Sequence, residues 1–84
     1  MMHDYEYAFV QSLIPKIKEK IKVGVVAEVK DDVLEVKLFR DHEVDFIYKV
    51  DDFYNKIREG YAAELCARAV YNMYMRKIIK RYFH

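Results

Sequence analysis

The chain has one cysteine, one proline and two glycines among 84 residues. A single cysteine, Cys66, excludes an internal disulfide, and a free thiol suits a reducing compartment. So little glycine and proline leaves no place for a linker, a low-complexity stretch or a glycine-rich phosphate loop. Histidine is scarce too. His3, His42 and His84 fall at a terminus, a turn and a terminus, with no metal-ligand spacing among them. No metal and no cofactor is expected. No apolar run approaches the roughly 18–20 residues of a membrane span, and the start "MMHDYEYAFVQSLIP" carries acids where a signal peptide carries bases. The expected setting is the cytoplasm, without a membrane.

An excess of one charge sign is also missing. The net charge is +1, which excludes a wholly electrostatic nucleic-acid binder. The distribution is uneven, however. Residues 61–84 carry five basic side chains and one acidic, whereas residues 1–60 carry ten basic and thirteen acidic. Hydrophobic residues make up 54% of the chain. That is the composition of a globular domain, and the length sets it at one domain, 1–84.

Periodicity supplies the elements. Phe9, Leu13, Ile17 and Ile21 recur every four residues, with Val10 and Ile14 beside them, so an amphipathic helix is expected. Asp4 is its expected N-cap. Pro15 interrupts the pattern without changing its phase, which favours a kinked helix ending near Lys20 over one ending at Ile14. Three alternating runs follow. Val23, Val25, Ala27 and Val29 share one face, then Leu34, Val36 and Leu38, then Val44, Phe46, Tyr48 and Val50. A two-residue turn at Asp31-Asp32 and a three-residue turn at Asp41-His42-Glu43 set every apolar residue opposite another. The expected sheet is an antiparallel three-stranded meander with one apolar face and one mixed face. A helix capped by Asp51 or Asp52 then runs about 30 residues, with Gly60 its one weak point. The fold class is α+β in the order α-β-β-β-α. The N-terminal helix and the long C-terminal helix cover one face of the sheet.

Sorted by rows four residues apart, the last helix has three apolar rows and one polar row. That is more apolar surface than one sheet covers, and a helix of about 45 Å overhangs strands of about 20 Å. A second copy of the chain is the expected cover, in a dimer. The expected contacts are Cys66, Val70, Tyr71, Tyr74, Met75, Ile78 and Tyr82. Two basic clusters remain. Lys16, Lys18, Lys20 and Lys22 flank Ile17 and Ile21, and Arg76, Lys77, Lys80 and Arg81 lie opposite Tyr74, Ile78 and Tyr82. They are candidate contacts for an anion or a nucleic acid. Glu28 and Glu35 face each other across two strands with Lys49 beside them, which marks a solvated charge cluster. No nucleophile has a visible base. The functional expectation is a non-enzymatic interaction module, homo-oligomeric through its last helix, that binds an unidentified protein. The alternative is a nucleic-acid-binding accessory protein using the basic clusters.

The order α-β-β-β-α resembles that of the double-stranded-RNA-binding domain. That family carries a Gly-Pro-X-His-type loop and a lysine-rich second helix. Here the matching segments read "KDDV" and "DDFYNKIRE". The plan of strands, then "DDF" and "KIREG", then a helix closing in "IIKRYFH", resembles small uncharacterised proteins encoded by Firmicutes phages and prophages. What that resemblance implies is origin, with no functional residue carried over.

Overall fold

The structure is a computed structural model and describes residues 4–83. The elements are α1 (Asp4–Lys20), β1 (Gly24–Lys30), β2 (Val33–Arg40), β3 (Glu43–Val50), α2 (Phe53–Arg58) and α3 (Ala63–Phe83). The three strands form one antiparallel sheet in the order β1-β2-β3. Helices α1 and α3 pack against each other and bury the inner face of that sheet. The expected α+β plan is therefore the observed one, with the last helical segment in two pieces.

Helix α1 runs unbroken through Pro15 to Lys20. An interior proline costs about 3 kcal/mol. Phe9, Val10, Leu13 and Ile17 are all buried, and each contributes about 1.5–3 kcal/mol, so burial outweighs the proline. Asp4, the expected N-cap, already lies inside the helix.

The first hairpin follows its expected register, with Val25↔Leu38, Ala27↔Val36 and Val29↔Leu34 paired. Its turn residues Asp31 and Asp32 both have left-handed φ, 52° and 62°. That is the two-residue geometry whose twist matches the strands. The second hairpin reaches its expected register differently. Asp41 and His42 alone make the turn, with φ of 51° and 67°, and Arg40 pairs with Glu43. A shift then falls between Leu38 and Phe39: Phe39 pairs with Val44, whereas Leu38 pairs with Phe46. The odd residue sits in the strand as a bulge at Asp45, not in the turn as expected. The bulge exchanges two faces. Val44, expected inside, pairs with Phe39 on the outer face and is 46% exposed. Asp45, expected outside, turns toward α3.

The expected helix of about 30 residues is corrected to a short α2 of 6 residues and an α3 of 21. Gly60 causes the break. Its φ is +94°, its N–H donates to the Ile57 carbonyl, and the Tyr61 N–H reaches back to Lys56 at 2.8 Å. This paired bonding ends helices wherever a left-handed glycine follows the last turn. The cap at the other end of α2 is also corrected. Asp52 has a left-handed φ of 56°, and its side chain caps no backbone N–H. Asp32, in the first hairpin turn, supplies the cap. Its carbonyl accepts from the Phe53 N–H at 3.0 Å, and its Oδ1 accepts from the Tyr54 N–H at 2.7 Å.

Candidate functional site

Helix α3 runs antiparallel to β3. Tyr61 and Leu65 share a hollow with Tyr48 and Lys49, Tyr74 bonds to Asp45, and Arg81 and Tyr82 lie by Glu43 and Val44. This alignment decides which face of α3 is spent on the chain's own core. Cys66 and Val70 are fully buried, and Tyr74 is 1% exposed. These three expected oligomer contacts fill the core against the sheet and α1, so a second copy cannot reach them. Tyr71, Met75 and Ile78 are half-buried, and Tyr82 is exposed. A different row faces solvent. Leu65 and Met73 are 53% and 44% exposed, with half-buried Ala69 between them.

The Cys66 thiol is pushed up by burial, against a smaller opposing effect of its hydrogen bond with Tyr61. Burial likewise raises the Tyr61 hydroxyl, and Cys66 adds to the shift. Tyr61 also stacks on Phe9, with centroids 5.8 Å apart. A buried thiol held in its neutral form is a poor nucleophile.

The two expected basic clusters divide. Glu64, in the first turn of α3, collects Lys20 at 3.1 Å, Arg68 at 3.3 Å and Lys16 at 3.9 Å. The bond from Lys20 foremost holds its carboxyl below the usual range, with Arg68 assisting. Asp45 does the same at the far end of α3. The Tyr74 hydroxyl donates to its Oδ2 at 2.6 Å, Arg81 lies 3.1 Å from Oδ1 and Lys77 lies 3.8 Å from it. Lys77 also donates to the Asp45 carbonyl and sits 6.0 Å from the Phe46 ring centre. The Tyr74 bond foremost, then Arg81 and Lys77, hold the Asp45 carboxyl low against desolvation. Lys16, Lys20, Lys77 and Arg81 are thus drawn into internal ion pairs. Among the described residues, Lys18, Lys22, Arg76 and Lys80 make no ion pair, and all four are exposed.

On the outer sheet face Glu28 pairs with Glu35 as expected, and Lys37 and Lys49 lie 3.3 and 3.6 Å from Glu35. The rest of that face is apolar at one end: Val26, Val44 and Ile47 are each nearly half exposed, beside Phe39. Among the described residues no helix is long and apolar enough to cross a membrane, and no group of three or more His, Cys, Asp or Glu side chains is placed to hold a metal. His3 and His84 lie outside the described residues. In comparisons with family models, curated proteins and solved structures, the chain finds no match.

Proposed function

We propose that this chain is a non-enzymatic interaction module that pairs with a second copy through α3 and binds an unidentified protein partner. The observation that carries the reading is the row Leu65, Ala69 and Met73, which stays solvent-facing after α3 has filled the core. Leu65 shares a hollow with Tyr48 and Lys49 of β3, a strand that among the described residues pairs with β2 alone. The row is also self-complementary. An antiparallel copy centred on Ala69 sets Leu65 against the partner's Met73, and the small side chain at the centre permits close approach. The pairing surface thus moves by one row from Cys66, Val70 and Tyr74, while Tyr71, Met75, Ile78 and Tyr82 are left at its margin or beyond it. A phage or prophage origin and a cytoplasmic setting belong to the same reading. They rest on the resemblance of "DDF", "KIREG" and "IIKRYFH" and on the free thiol.

The test is mass by light scattering at micromolar concentration. The wild type is expected to be a dimer, and Leu65→Glu with Met73→Glu a monomer that keeps its helical circular-dichroism spectrum and melts lower by the lost dimer linkage. A wild-type monomer would remove the proposal.

A further inference from the structure

Beyond the α3 surface, the end of the molecule around the second hairpin turn holds a cleft of about 590 Å3 between the end of α1, the start of β1 and the end of β2. Lys18, Lys22 and Arg40 line it, against one carboxylate, Asp41. None of the three cations makes an ion pair among the described residues, and all are exposed. Phe39 also lines the cleft and continues into an adjoining hollow with Val26 and His42. The ring owes its place to Gly24, its cross-strand partner. A Cβ on Gly24 would meet the Phe39 Cβ at 3.3 Å.

We propose that this cleft binds single-stranded nucleic acid, with Lys18, Lys22 and Arg40 on its phosphates and a base stacked on Phe39. Cations that track a backbone beside an aromatic ring are the elements of sequence-tolerant single-strand binding, and the half-buried Phe39 lines the cleft. On α3 the basic residues and the aromatics occupy opposite faces of one helix. Here they stand together, because a helix end and a strand end converge. The negative end of the α1 dipole lowers the local potential by about half a charge. Three cations against Asp41, with Glu43 paired to Arg40 across the hairpin and sharing a hollow with it, leave a small positive excess after that.

Fluorescence anisotropy of a labelled oligo-dT measures the binding. For about three phosphate contacts on a single strand, affinity should fall roughly 20-fold between about 50 and 200 mM salt. Reversal of Lys18, Lys22 and Arg40 to Glu should abolish binding at the lower salt, while the melting temperature reports that the fold is kept. Phe39→Leu, which retains an apolar side chain over Gly24, should weaken binding about tenfold. Arg76→Glu with Lys80→Glu should leave it unchanged. The proposal fails if oligo-dT does not bind at the lower salt, or if the α3 reversals abolish binding as fully as the cleft reversals. It fails equally if a polyglutamate peptide binds as tightly, or if inorganic phosphate competes as well as unlabelled oligo-dT does. Dimerisation through Leu65 and Met73 is read by mass and is unaffected by any of these outcomes.

Discussion

Replacing Asp45 by alanine tests whether the bulge is what fastens α3 to the sheet. The Tyr74 hydroxyl lies on a side chain only 1% exposed and donates to Asp45 at 2.6 Å. Without Asp45 it loses that partner, at about 1–3 kcal/mol. Arg81 and Lys77 lose a carboxylate they hold at the surface, with side chains 39% and 42% exposed, worth about 0.2–1 kcal/mol each. These ranges sum to about 1.5–5 kcal/mol, with a central value of about 3 kcal/mol. At this length 1 kcal/mol moves the melting temperature by about 4–8 °C, so a fall of roughly 10–20 °C is expected by circular dichroism. Asp45→Asn keeps an acceptor for Tyr74 and should lose only about 1 kcal/mol. A double-mutant cycle of Asp45→Ala with Tyr74→Phe should show coupling of about 1–2 kcal/mol. pH gives an independent check. The Asp45 carboxyl is held below its ordinary value in the folded state, chiefly by the Tyr74 bond. Its stabilisation is therefore whole above the ordinary carboxylate range near about pH 4, and is lost as pH falls through the lower folded-state value. The gap between wild type and Asp45→Asn should close in that direction. A loss under about 0.5 kcal/mol in Asp45→Ala, or additive effects in the cycle, would refute the reasoning.

Two further outcomes are expected. Asp32→Ala removes the side-chain acceptor of the Tyr54 N–H and should cost about 1 kcal/mol by urea denaturation, whereas Asp52→Ala should cost less, because Asp52 caps no helix N–H. Cys66, fully buried with its thiol pushed up, should resist iodoacetamide at neutral pH in the native protein and react at the rate of global unfolding. Prompt labelling would place it on a surface after all.

Strand parity was legible from the alternation of apolar residues, because one slipped residue would have exposed a whole face. Where the odd residue of the second hairpin sits was not legible. A three-residue turn and a two-residue turn with a bulge share the register from Leu38↔Phe46 onward, and they differ only at Glu43, Val44 and Asp45. That ambiguity hid the carboxylate that binds Lys77 and Arg81. The end of α2 did leave a signal: Gly60 after a last turn, followed by apolar Tyr61. The apolar row Ile57, Tyr61 and Leu65, which crosses Gly60 in phase, masked it, since the same pattern reads as one long helix. The cap of α2 left no local signal, because Asp32 lies 21 residues before Phe53. The cleft at Lys18, Lys22 and Arg40 depends on a helix end and two strand ends meeting in space, which helical rows do not describe.

The cap that Asp32 supplies has a consequence for cooperativity. A helix of 6 residues is far too short to persist alone in water, where roughly 12–15 are needed. Because the Phe53 and Tyr54 amides bond to the first turn, α2 gains these contacts only once β1 and β2 have closed around it. The hairpin and α2 should then open as one unit, and these two amides should exchange with solvent in step with those flanking the turn. A contact between distant segments thereby couples the first hairpin to the corner from which α3 departs, so that losing one loosens the other.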